Sequence, residues 1–149
     1  ALGFLDPLLV SRSSNLGYWV YDAATCQLKK IDPSLKVVYE SGDLQQLTGT
    51  SLKPTQLTEA DNFVYLNDPH QGVLVFDVFG VYYKTIPVKD IQSLQNLIYV
   101  KNNAVYSYDQ KRMEESVVEI PAHDSLLHAR IEQNRLYLLS TKSLSIYSH

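Results

Sequence analysis

Short runs of Val, Ile, Leu and Tyr recur along this chain, separated by Asn, Asp, Gly and Pro. Helical spacing of apolar residues is almost absent, and runs of four to six residues between turn formers predict β-strands. One unit repeats. It opens with a turn residue and a short apolar strand: Gly17 to Tyr21, Asn62 to Leu66, Asn96 to Val100, and Asn134 to Leu139. In the last three, a Tyr stands at the third or fourth place from the Asn. A tight turn follows each strand: Asp22-Ala23-Ala24, Asn67-Asp68-Pro69, Lys101-Asn102-Asn103 and Ser140-Thr141-Lys142.

Second strands are predicted over Gln27 to Asp32, Gly72 to Asp77, Ala104 to Asp109 and Leu144 to Ser148. The first three end in an apolar or aromatic residue plus Asp, whose carboxylate can accept backbone N–H bonds in the next turn. Third strands are predicted over Lys36 to Glu40, Tyr82 to Ile86 and Ser116 to Ile120, the last two running into Ile86-Pro87 and Ile120-Pro121. Linking segments at Leu8 to Ser11, Gln56 to Thr58, Ile91 to Leu94 and His128 to Glu132 supply a fourth strand per unit. The stretch from Gly42 to Pro54, with Leu44, Leu47 and Leu52, is the least regular and is expected to hold a helical turn.

The aligned positions Asp32, Asp77, Asp109 and Ser148 lie 45, 32 and 39 residues apart. That spacing is near the roughly 40–50 residues of a four-stranded propeller blade. The fold expected is therefore all-β: a β-propeller-like repeat of antiparallel blades, about three complete and a partial fourth, packed face to face. A single domain over 1–149 would hold blades near 8–41, 56–87, 91–121 and 128–149. The last unit stops after its second strand, so a fragment of a larger propeller is expected, with an edge left open to another copy or chain.

Composition narrows the function. Apolar residues make up 45% and charged residues 19%, which favours a folded core over disorder. A net charge of −3 argues against a nucleic-acid partner, which needs a basic footprint. The 11 Tyr among 16 aromatics suit half-buried strand positions. No stretch approaches the roughly 20 apolar residues of a membrane-spanning helix. Cys26 stands alone, so no internal disulfide forms, and it is expected to pack as a small residue in a strand.

The phrase Gly72-Val73-Leu74-Val75-Phe76-Asp77-Val78-Phe79-Gly80-Val81-Tyr82-Tyr83-Lys84-Thr85-Ile86-Pro87 resembles one blade of an NHL-like propeller. That family repeats G-x-hydrophobic-x-hydrophobic-hydrophobic-D-x-x-G before a strand. More closely, the whole chain resembles the C-terminal part of a group of bacterial cell-envelope propeller-like proteins. The resemblance implies an extracytoplasmic setting and blades preceding this region. It carries no catalytic residues over.

Candidate chemistry is sparse. His70, His123, His128 and His149 show no metal-ligand spacing, and solvent-facing or hydrogen-bonded roles are expected for them. Asp68-Pro69-His70 is expected to form a turn before it forms an acid–base pair. Asp32, Asp77 and Asp109 lack the clustered loop oxygens that Ca²⁺ requires. Ser13, Ser14 and Ser116 lack a nucleophile elbow, and the six glycines form no phosphate-binding loop. In Tyr18-Trp19 and Tyr82-Tyr83, one ring of each pair is expected in the core and one at the surface. Neither catalytic nor metal residues are assigned, and no cofactor is expected. The function expected is a non-enzymatic protein-interaction or scaffold module of the bacterial cell envelope. The alternative is a ligand-binding or metal-dependent propeller enzyme of the lactonase or lyase kind.

Overall fold

The computed structural model describes residues 3–89, 91, 93–95, 97–109 and 111–148. Expectations resting on Ala1, Leu2, Gln92, Asn96 and His149 lie outside the described residues. The chain divides into two compact units, Ala1–Lys89 and Asp90–His149.

The first unit holds two four-stranded antiparallel sheets in simple sequential order. Sheet 1 consists of β1 (Pro7–Arg12), β2 (Tyr18–Asp22), β3 (Gln27–Ile31) and β4 (Val37–Glu40). Sheet 2 consists of β5 (Gln56–Ala60), β6 (Phe63–Asp68), β7 (Gly72–Asp77) and β8 (Tyr82–Ile86). Between them lies the one-turn helix α1 (Leu44–Thr48). Asp43 caps it by accepting from Gln45 N and Gln46 N, and Gly49, at φ 73°, ends it. Leu44 is thereby delivered into a core with Trp19, Tyr21, Leu28, Val64, Leu66, Leu74 and Phe76.

The second unit holds sheet 3, with β9 (Ser93–Gln95), β10 (Ile98–Lys101), β11 (Ala104–Asp109) and β12 (Glu114–Val118). Sheet 4 has three strands, β13 (Leu126–Glu132), β14 (Arg135–Ser140) and β15 (Leu144–Ser148). Its core joins Ile98, Val100 and Val105 of sheet 3 to Leu126, Ala129, Leu136 and Leu138 of sheet 4. Each linking strand pairs with the strand that follows it. The last sheet is therefore short of a four-strand blade by one strand, not by the two that the sequence count suggests.

Turn chemistry fixes the registers. Three hairpins close through two-residue turns with both residues at positive φ: Asp61-Asn62, Asn102-Asn103 and Gln133-Asn134. These turns twist with the strands, and Asn tolerates the left-handed region better than most residues. That is the physical role of the recurrent Asn in two of the repeat openings.

The recurrent Asp acts as its position predicts. Asp32 Oδ1 accepts from Ser34 N and Lys36 N at 2.8 and 3.0 Å, and Asp77 Oδ1 from Phe79 N and Val81 N, both at 2.9 Å. Asp109 Oδ1 accepts from Lys111 N and Arg112 N at 2.8 and 3.1 Å. Sheets 1 and 2 carry a register shift beside this turn, whereas sheet 3 pairs Asp109 directly with Glu114. The direct pairing moves β12 two residues N-terminal of its predicted 116–120 span. Ile120 then lies beyond the strand but still packs on the core.

Two further expectations are corrected. Cys26 is buried, but in the β2–β3 turn at φ 50° rather than within a strand. Tyr82 and Tyr83 both reach the surface, at 36% and 62% exposure, because β8 is an outer strand of its sheet. Trp19 and Tyr18 do divide, with Trp19 in the core and Tyr18 outside.

Candidate functional site

The polar side chains within the first unit bind the repeat together. Asp22 ends β2 fully buried and accepts from Leu5 N and Asp6 N. It also pairs with the Lys29 ammonium at 2.9 Å. Burial acts to raise the Asp22 carboxyl, but Lys29 and the two amides outweigh it and hold the group at about 2. Lys29 in turn donates to the Gly3 carbonyl and stands 5.6 Å from the Phe4 ring. Asp68 ends β6 in the same way and accepts from Lys53 N, His70 N and Gln71 N. Asp68-Pro69-His70 is thus a turn whose carboxylate is spent on backbone amides.

Glu59 on β5 accepts from Trp19 Nε1 at 2.6 Å and from the backbone and hydroxyl of Ser14. Burial would raise its carboxyl, but these bonds together with Ser13 keep it below the usual range. Ser13 and Ser14 therefore anchor a loop, whereas Ser116 on β12 meets the hydroxyl of Ser107 on the paired strand β11 at 3.0 Å. The Lys30 ammonium, on a side chain only 4% exposed, lies 5.5 Å over Trp19.

A cleft of about 360 Å³ in the second unit gathers His123, Asp124, Ser140, Ser143 and Ser145. These residue types suggest acyl-transfer chemistry, but their geometry does not provide it. Both ring nitrogens of His123 address backbone carbonyls, Nδ1 that of Pro121 at 2.9 Å and Nε2 that of Asn103 at 3.1 Å. Neither nitrogen is aimed at a serine as a general base must be. Ser140 Oγ instead accepts from Lys142 N and Ser143 N within its turn. Among the described residues, no three His, Cys, Asp or Glu side chains stand together as a metal site. No helix of the described residues is long and apolar enough to cross a membrane.

The second distinctive feature is a face. Side chains alternate along β13–β15, so Leu126, Ala129, Leu136 and Leu138 turn to sheet 3. His128, Arg130, Tyr137, Leu139, Leu144 and Ile146 take the other side. Pairing sets Tyr137 opposite Ile146 and Leu139 opposite Leu144. Leu139, Leu144 and Ile146 are 43%, 61% and 54% exposed. Leu139 and Leu144 border a shallow groove of about 400 Å³ with His128, Arg130, Glu132 and Tyr137. Burial and the neighbouring Arg130 both push the His128 imidazole down. Sequence reading found the strands but missed this surface, because its apolar alternation matches that of covered sheets.

The four separate antiparallel sheets place the chain in the β-propeller-like class of repeat folds. No family model matches the chain, and no curated protein matches it. Among solved structures, it is similar to the computationally designed Ika4 protein, with TM-score 0.62 at 12% identity over 99% of this chain and 95% of that one. It is also similar to virginiamycin B lyase from Staphylococcus aureus, with TM-score 0.60 at 14% identity over 95% of this chain and 55% of that one. A streptogramin B lyase gives TM-score 0.57 at 11% identity over 96% of this chain and 54% of the lyase. The chain spans about half the length of the two lyases. At these identities the likeness concerns the fold.

Proposed function

We propose that this chain is a protein-interaction module whose working surface is the outer face of sheet 4. The observation that carries this reading is the exposed apolar row Leu139, Leu144 and Ile146 beside the half-buried Tyr137 on one sheet face. Contiguous exposed apolar surface of this kind marks interaction sites on soluble proteins. The polar clusters support the same reading, since Asp22, Asp68, Glu59 and His123 are each engaged in holding turns and loops. The cell-envelope setting rests on the sequence resemblance, and fractionation of source cells tests it.

The test is capture from source cells with the wild-type chain and with Leu144→Lys. A partner retained by the wild type and lost by the variant is expected. Robust hydrolase or lyase turnover, abolished by one substitution elsewhere, would overturn the reading. The second reading, a ligand-binding or metal-dependent enzyme, has the fold likeness to the two lyases in its favour. Stoichiometric Ca²⁺ or Zn²⁺ in purified protein would support it.

A further inference from the structure

Sheet 1 carries a charge where the repeat needs none. Trp19, Lys30 and Tyr39 are cross-strand partners on β2, β3 and β4, so their side chains form one row on the face turned to sheet 2. Trp19 is fully buried and Lys30 is 4% exposed. The aligned row of sheet 2 puts the fully buried Val75 beside Tyr65. An apolar residue therefore satisfies the packing at this position, and the lysine calls for another reason.

No anion answers the Lys30 ammonium. Its Nζ stands 5.5 Å from the Trp19 ring, and among the described residues it makes no hydrogen bond or ion pair. One ring face offsets part of the cost of burying a charge, but an ammonium carries three donors. The neighbouring carboxylates are engaged elsewhere. Glu59 accepts from Trp19 and Ser14, and Asp77 from the Phe79 and Val81 amides. Lys29 and Glu40 alternate to the opposite face, where Lys29 pairs with Asp22.

The outer end of the row is aromatic and open. Phe79, in the β7–β8 turn, meets Tyr39 edge-on with ring centroids 5.4 Å apart, and both rings are exposed. Gly80 brings that turn close: a Cβ there would stand 3.6 Å from Trp19 Cζ3 and from the backbone of Glu40 and Ser41. Neighbouring strands lie about 4.8 Å apart, so an extended lysine side chain spans the step from β3 to a group seated on Tyr39.

The geometry points to a binding site for a small carboxylate with a flat apolar body, the carboxylate on Lys30 Nζ and the body against Tyr39 and Phe79. One ammonium matches one negative charge. Glu59 and Asp77, on the facing sheet, disfavour a phosphate dianion. The two rings offer faces and edges to a planar group. A charge-assisted hydrogen bond at a buried ammonium is about twice as strong as a neutral one. The site lies within the first unit and goes beyond the interaction-module reading, which concerns sheet 4.

Benzoate is the probe, with benzamide as its uncharged counterpart and inorganic phosphate as the alternative anion. Each is titrated at fixed ionic strength by calorimetry and by the fluorescence of Trp19, the single Trp. The wild type is expected to bind benzoate with Kd on the order of 1 mM and a change in Trp19 emission. Benzamide and phosphate are expected to bind at least about tenfold more weakly. Lys30→Met keeps an apolar stem and is expected to weaken benzoate about tenfold or more. Phe79→Ala, at an exposed turn residue, is expected to weaken it about threefold. Lys142→Met, at an exposed position of the second unit, is expected to leave it unchanged. A thermal melt verifies the fold of each variant, and where Lys30→Met does not fold, Phe79→Ala and the benzamide comparison decide.

Absence of benzoate binding up to roughly 20 mM overturns the inference. So does benzamide binding as tightly as benzoate, phosphate binding more tightly, or a folded Lys30→Met with wild-type affinity. None of these results touches the reading of sheet 4, which stands or falls on the partner lost by Leu144→Lys.

Discussion

Replacing Asp22 by alanine is expected to cost about 4 kcal/mol of stability, far more than an average point substitution. The carboxylate is 0% exposed and its Lys29 partner 5% exposed at the side chain. Removing it strands a buried ammonium and leaves the Leu5 and Asp6 amides without their acceptor. Breaking one side of a buried pair costs about 3–5 kcal/mol, because the remaining charge has lost its counter-charge but not its burial. The repeat supplies the control. The position aligned with Lys29 in sheet 2 is the fully buried Leu74, so Asp22→Leu with Lys29→Leu removes both charges together. That double variant relieves the stranded charge but not the Leu5 and Asp6 amides, and is expected to recover roughly half of the loss. Urea unfolding at fixed chain concentration, followed by the fluorescence of the single Trp, reads each value. A loss below about 1 kcal/mol for Asp22→Ala would refute the argument, since the pair would then behave like a screened surface pair. Acid provides a second readout. The folded carboxyl sits at about 2, below the ordinary aspartate value near 3.9. Its contribution is therefore complete above about pH 4 and is lost as pH falls through about 2. Asp22→Ala should flatten the stability profile across that window.

Leu35 lies in the left-handed region at φ 64°, in the turn where sheet 2 places Gly80 at φ 82°. Leu35→Gly is therefore expected to stabilise the chain by about 1 kcal/mol, read as a raised midpoint in urea. At Gly72, φ is 107° and an added Cβ would stand 2.4 Å from the Ile86 carbonyl oxygen. Gly72→Ala should cost at least about 2 kcal/mol and lower the melting temperature accordingly. Asp77→Ala removes the acceptor of two turn amides and should cost about 1–2 kcal/mol, whereas Asp77→Asn should retain much of it. A thermal melt that leaves the alanine variant unchanged would remove the turn role from this aspartate.

The strands, their order and the recurrent turns were legible in the sequence because they depend on local chemistry. A strand needs only an apolar run between breakers, and an Asp at its end finds amides two to four residues on. The helical turn near Leu44 was legible in the same way, through the loss of strand alternation between Gly42 and Pro54. Errors arose where pairing overruled local pattern. β12 shifted because Asp109 pairs directly with Glu114. Both rings of Tyr82-Tyr83 reach the surface because an outer strand has no further strand beside it.

The candidate surface was not legible. Tyr137, Leu139, Leu144 and Ile146 alternate along their strands as the buried Trp19, Tyr21 and Leu28 of sheet 1 and Ile98, Val100 and Val105 of sheet 3 do, so the sequence shows an apolar face and not what lies on it. Likewise, Lys29 reads as an ordinary polar strand residue and Asp22 as the first residue of a turn until folding brings Gly3 to Asp6 over them. The sequence alone determined the repeat, since period and turn residues are properties of short segments. Only the tertiary structure decided which faces are covered, because burial depends on which segments meet across sheets rather than on the residues along any one of them.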